Sequence, residues 1–294
     1  MLGPIVVGLD GSPESLAAAQ WAAGEASRRG VPLRLVHAWE AMPTGPSRLP
    51  ELEAPRSRAQ RIVRDAVDLL QERCPQVSVS SELIARSPVD ALVTAGTEAG
   101  LLVLGSRAFG GVGGFLAGSV ALATLARLTR PAAVVRADGT AEDERGPAVG
   151  EAASDDGPDR EVVVGADADH RCEDVLAFAF ESAALRSAPL RLVYAWRPPW
   201  ALGPGAEDLI GQEDAAQAVA SLLRPWGEKY PNVEVRVRVE NGRPAEALSR
   251  ASRDACLLVV GRRIRPAGFG AHIGPVLHAV LRRVRCPVAV VPHV

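Results

Sequence analysis

The chain carries the same run of motifs twice. Arg34-Leu35-Val36-His37-Ala38-Trp39 returns as Arg191-Leu192-Val193-Tyr194-Ala195-Trp196. Ser87-Pro88-Val89-Asp90-Ala91-Leu92 returns as Arg243-Pro244-Ala245-Glu246-Ala247-Leu248, and Leu101-Leu102-Val103-Leu104-Gly105-Ser106-Arg107 as Leu257-Leu258-Val259-Val260-Gly261-Arg262-Arg263. The offset is 157 in the first pair and 156 in the later ones, so one residue is lost between the Trp196 and Pro244 matches. Solenoid units are far shorter, and a copy of this length can bury a core of its own. The repeat is therefore a duplicated domain, read as residues 1–137 and 160–294. Between them, residues 138–159 hold eight acids against one arginine, with Gly and Pro and no periodicity, as expected of a solvated, flexible linker. What one copy keeps and the other loses becomes an internal comparison.

Composition closes several function classes. A hydrophobic share of 47% and a charged share of 23% are those of a soluble globular protein, and a net charge of −2 argues against nucleic acid or an anionic membrane surface as the partner. No apolar run reaches the roughly 20 residues of a membrane span, and Met1 leads directly into a strand-like segment, so the expected location is the cytoplasm. Cys74, Cys172, Cys256 and Cys286 show no CxxC or metal-ligand spacing and read as free thiols of a reducing compartment. Lys229 is the only lysine and follows no glycine-rich loop, which excludes the P-loop NTPases.

Each copy alternates short apolar strands with helices. In the first, Ile5 to Leu9 predicts a buried strand. Ser12-Pro13 then caps a helix that Gly30 ends. Further strands are expected at Leu33–Ala38, Val77–Ser80, Leu101–Leu104 and Pro131–Val135, with helices at Arg56–Arg73, after Ser87-Pro88, and at Gly118–Leu128. Strand–helix alternation with continuously apolar strands specifies a parallel α/β sheet, repeated from Glu161 to Pro292.

In such a sheet ligands bind beyond the carboxyl ends of the strands, where the strand order reverses. In the first copy that region holds Asp10-Gly11-Ser12, Ala38, and the run from Gly105 to Val120, which contains six glycines. Glycines allow close backbone approach to an anion, and Gly118-Ser119-Val120 opens a helix whose free amides and dipole favour phosphate. Asp10, just before a helix, is also favoured by the dipole alone.

These residues resemble the universal stress protein family. Its phosphate loop is Gly, two residues, Gly, nine residues, Gly, then Ser or Thr. Gly105, Ala108, Gly118 and Ser119 stand at that spacing, with Ala108 the departure. The Val7-Gly8-Leu9-Asp10-Gly11-Ser12 opening and Cys286-Pro287-Val288-Ala289-Val290-Val291-Pro292 are similar to it as well. The resemblance implies two five-stranded sheets of order 3-2-1-4-5 and ATP as ligand, with any Mg²⁺ resting on phosphate oxygens and Asp10. It implies that Gly8 and Asp10 lie near adenine and ribose, that Ala38 offers backbone bonds to the adenine edge, and that Gly105, Ser106, Arg107, Ala108, Gly118, Ser119 and Val120 hold the phosphates. It also implies antiparallel pairing of the two last strands in a pseudo-dimer, and allows a homodimer of the whole chain.

The second copy departs further. Asp167, Ala195, Gly261, Gly274 and Val276 are retained or equivalent, but Ile264 replaces the second glycine of the loop and Pro275 the Ser/Thr. Proline removes a hydroxyl and an amide donor together, and a β-branched residue resists positive φ, so the loop is expected to take another path. Arg262, Arg263 and Arg265 read as a solvated basic loop able to supply charge. His37, His170, His272, His278 and His293 form no HExxH or triad pattern, and no GxSxG elbow is present. The reading is thus ATP sensing or storage without turnover. The alternatives are a protein-interaction module with a vestigial nucleotide site, and a slow ATPase.

Overall fold

The computed structural model describes residues 3–39, 55–106, 119–137, 160–166, 172–196, 207–264 and 273–293. The chain divides into two compact units, Met1–Ala152 and Ala153–Val294. The stretch read as an acidic linker lies outside the described residues.

The first unit runs β1 (Ile5–Leu9), α1 (Pro13–Arg29), β2 (Leu33–Ala38), α2 (Pro55–Arg73), β3 (Val79–Ile84), α3 (Pro88–Thr97), β4 (Leu101–Ser106), α4 (Ser119–Arg127) and β5 (Ala132–Arg136). All strand pairs are parallel, in the order β3-β2-β1-β4-β5. The buried strands β1 and β4 carry apolar residues on both faces because helices cover both. The α1 and α2 pair lies on one side, the α3 and α4 pair on the other. An alanine face on α1 (Ala18, Ala19, Ala22, Ala23, Ala26) lets that helix lie close against β1 and β4.

The helix signals act as the sequence predicts. Ser12 caps α1 with Pro13 in its first turn, and Gly30 ends it in the left-handed region at φ 63°. Ser87 caps α3, its hydroxyl accepting the Asp90 N–H at 3.3 Å. One expectation is corrected: β3 spans Val79–Ile84 rather than residues 77–80. It pairs residue for residue with all of β2, from Leu33↔Val79 to Ala38↔Ile84. As the unit's outermost strand it exposes Ser81 and Glu82, which hides a burial alternation from the sequence.

The second unit repeats the plan: β6 (Glu161–Gly165), α5 (Glu173–Arg186), β7 (Leu190–Trp196), α6 (Glu207–Lys229), β8 (Val235–Asn241), α7 (Pro244–Ala251), β9 (Ala255–Arg263), α8 (Pro275–Arg283) and β10 (Val288–His293). Its strands are parallel in the equivalent order, β8-β7-β6-β9-β10. The core is refilled. Where the first unit has Ala23, Leu70 and Cys74, the second has Phe180, Trp226 and Tyr230, with Phe180 stacked 5.6 Å from each of the other two rings. Lys229, the sole lysine, has its Nζ 5.3 Å from the Trp226 ring centroid and 5.4 Å from that of Tyr230, a cation–π contact. Ser187 holds the left-handed cap position at φ 50° that Gly30 holds in the first unit.

Candidate functional site

Strand order reverses between β1 and β4 in the first unit, so the carboxyl ends of these two strands define the cleft. The chain leaves β1 at Leu9 and turns through Asp10 and Gly11. Gly11 has φ 81°, and a Cβ there would also sit 3.0 Å from Ile62 on α2. The turn is tied by a dense set of hydrogen bonds. The Ser12 N–H donates to Asp10 Oδ1 at 2.9 Å, and the Ser12 hydroxyl donates to the same oxygen. Ser12 Oγ accepts the Ser15 N–H at 3.2 Å. The buried Ser15 hydroxyl donates to the Ser12 carbonyl at 2.9 Å and accepts the Asp10 N–H at 3.4 Å. The His37 imidazole, from the neighbouring strand, has Nδ1 2.8 Å from the Leu9 carbonyl oxygen.

Asp10 is thus exposed at the cleft and held by its own turn, so its carboxylate is oriented before any ligand arrives. Gly8 and Gly105 are small for packing reasons. A Cβ on Gly8 would meet Leu92 at 2.7 Å, and one on Gly105 would meet the α1 backbone at Glu14 and Ser15 at 2.6–2.8 Å. Close approach of β4 to the first turn of α1 is what requires Gly105. At the end of β2, the Trp39 N–H bonds across to the Ile84 carbonyl. Strand alternation therefore turns the Ala38 peptide groups toward β1, where the N–H completes the last pair, Leu9↔His37, and the carbonyl lies past the end of β1. That donor and acceptor set (a backbone edge at Ala38, a carboxylate at Asp10, the amides opening α4 at Ser119) suits a base, a ribose hydroxyl and an anion in turn. Ser106 ends β4, and Val120 is exposed on the first turn of α4. Arg107, Ala108, Gly118 and the Ser119 side chain lie outside the described residues.

The second unit rebuilds this region. Its first helix starts at Glu173, the counterpart of Leu16, so it lacks the three residues that open α1. Cys172 stands where Ser15 does and makes no capping hydrogen bond with its side chain. Asp167 lies outside the described residues. Beside Gly261, the space that the α1 backbone takes in the first unit holds the His293 imidazole and Val175, 2.7 and 3.2 Å from where a Cβ would stand.

One expectation fails here. Arg262 is no solvated loop residue: β9 continues to Arg263, pairing Arg262 with Pro292 and Arg263 with His293, and Arg262 is only 7% exposed. Burial pushes its guanidinium below the usual arginine range. Arg263 is exposed at the strand end, and Arg265 lies outside the described residues. Ile264 is not at positive φ. Its N–H bonds the His293 carbonyl at 2.7 Å, so the chain leaves β9 in extended form. Gly274 is the N-cap of α8, Pro275 takes its first position, and Val276 is as exposed as Val120. Ala195 lies near the end of β7, as Ala38 does in β2.

Sequence reading passed over Ser15 and His37. The signal existed: both change between copies, to Cys172 and Tyr194, while Val36 and Ala38 beside His37 are kept as Val193 and Ala195. Among the described residues no group of three or more His, Cys, Asp or Glu is placed to hold a metal ion, and no helix is long and apolar enough to cross a membrane.

Fold and site together define a duplicated, doubly wound α/β protein with a cleft at the β1/β4 switch point of its first unit. The family model described as the universal stress protein family matches residues 1–136 and 160–292, and the chain belongs to that family. Universal stress protein Rv2005c of Mycobacterium tuberculosis is 35% identical over 299 residues, covering 97% of this chain and 96% of the relative. A universal stress protein of Mycolicibacterium smegmatis is 32% identical over 305 residues, covering 98% and 96%. The crystal structure of a universal stress protein from Archaeoglobus fulgidus shares the fold, with a TM-score of 0.63 over 99% of both chains at 16% identity.

Proposed function

We propose that the first unit binds ATP as a regulatory or sensing ligand in a stress response, and that the second unit binds it far more weakly. The observation that carries this reading is the contrast at the two helix starts. α4 opens with Ser119, whereas α8, of the same length, opens with Pro275, which has neither the hydroxyl nor the amide hydrogen. The tied Asp10 turn of the first unit supports the same asymmetry, since the Ser12 and Ser15 that tie it are replaced by Asp169 and Cys172 in the second. When bound, ATP would lie with its base toward Ala38, its ribose toward Asp10 and its phosphates toward the start of α4.

Turnover is not part of the proposal. At the cleft Asp10 is already engaged with Ser12, and the chain's one lysine, Lys229, lies over the Trp226 and Tyr230 rings of the second unit, which argues against a group poised to activate water. Steady ATP hydrolysis abolished by Gly118→Asp would replace this reading with that of a slow ATPase.

Calorimetric titration of the full chain with ATP tests the proposal. One dominant site is expected, and Ser119→Pro, which copies Pro275, should weaken it by about 10–150-fold, the equivalent of one hydrogen bond to a charged oxygen. Two equal sites, or a dominant site indifferent to Ser119→Pro, would overturn it. No binding at all would leave the protein-interaction module as the reading.

A further inference from the structure

The bonds around Asp10 pose a question that the fold alone does not answer. The Leu9–Asp10 peptide is held at both ends: its carbonyl by His37 Nδ1 at 2.8 Å, its N–H by the buried Ser15 hydroxyl at 3.4 Å. A carbonyl only accepts, so Nδ1 carries a proton. The fold does not need this arrangement. The second unit builds the same strand order and the same helix plan with Tyr194 in place of His37 and Cys172 in place of Ser15. There the Ala166 N–H, counterpart of that of Leu9, donates to the Val193 carbonyl at 3.0 Å, and the pairing of β6 with β7 stops at Gly165↔Val193, one pair short of Leu9↔His37. Gly11 and Ser12 are replaced in the same stretch, by Ala168 and Asp169. Four residues that tie or shape one turn differ together, while Gly8, Asp10 and Ala38 keep their identities as Gly165, Asp167 and Ala195. A set that is dispensable for folding and absent from the copy with the altered helix start serves what the first copy alone does.

We infer that His37, acting with Ser15, is a positioning residue for the first unit's nucleotide site: it fixes the plane of the Leu9–Asp10 peptide and through it the direction of the Asp10 carboxylate. His37 acts through the peptide and is not a ligand contact. The inference rests on the ATP reading above. It adds that affinity there depends on a side chain of β2 that touches only the protein. The physical basis is preorganisation. A carboxylate already aimed loses little conformational freedom on binding, whereas a turn with one end released must be ordered by the ligand.

The test uses the full-length protein, with ATP titrated calorimetrically under conditions where circular dichroism shows each variant folded. His37→Leu removes the donor. His37→Asn keeps an N–H at nearly the place of Nδ1. His37→Tyr copies the second unit and guards against misfolding of the leucine variant. His37→Leu and His37→Tyr should each bind ATP about tenfold more weakly, with His37→Asn within about threefold of the parent. Long-range ¹H–¹⁵N correlation should show the His37 proton on Nδ1 in the parent. Parental affinity in both His37→Leu and His37→Tyr, or loss in His37→Asn equal to theirs, overturns the inference while leaving the ATP reading standing. Absence of ATP binding by the parent protein removes both.

Discussion

A methyl group on Gly105 would lie 2.6 Å from the carbonyl carbon of Glu14, because β4 and the first turn of α1 touch backbone to backbone. The glycine that begins the family's loop pattern is thus also a packing residue, and its neighbour cannot swing aside as a side chain could.

Gly105→Ala is therefore expected to destabilise the first unit by about 1–3 kcal/mol, the usual cost of overpacking. Gly8→Ala should cost less, since its close neighbours at 2.7 and 3.2 Å are the ends of the Leu92 and Leu104 side chains. Denaturant unfolding of the two variants checks the order. Equal losses would mean that α1 yields as readily as a leucine.

Ser187→Gly should stabilise the second unit. Ser187 ends α5 at φ 50°, where an L-residue with a Cβ is strained by roughly 1–2 kcal/mol. Glycine relieves that strain but adds freedom to the unfolded chain worth about 0.4–1 kcal/mol. The expected net gain is about 0.5 kcal/mol, read as a small rise in the melting temperature of the second unit. A fall would show that the Ser187 side chain contributes more than its strain costs.

Asp90 links α3 to α4. Its carboxylate accepts from the Ser87 hydroxyl at 2.7 Å and pairs with the Arg127 guanidinium at 2.9 Å, and the two hold it below the ordinary carboxylate value of 3.8. A lowered value in the folded state means that the link is present above about pH 4 and is lost as pH falls through the lowered value. Asp90→Asn should lower the melting temperature at pH 7, and the difference from the parent should shrink as pH drops below 4. A difference independent of pH would place the effect in packing instead of charge.

Much of this protein was legible in the sequence because the signals are local. The strand positions of β1 and β2, the Ser12 and Ser87 caps and the Gly30 stop each depend on residues within a turn or two of one another or on a continuous apolar run, and the duplication shows as such local motifs recurring at a near-constant offset. Candidate site residues followed from their position after β1, β2 and β4, since an open parallel sheet gathers strand ends at one edge. Tertiary structure decided the rest. Nothing near Arg262 in sequence announces its burial, which follows from β9 and β10 running side by side to Arg263 and His293. Gly105 needs no side chain because of a helix turn some 90 residues earlier, and the Leu9 carbonyl is held by a histidine 28 residues later. Local spacing specifies which elements form. Which atoms meet across elements is set only when the strands lie side by side, and there the Asp10 turn acquires its direction.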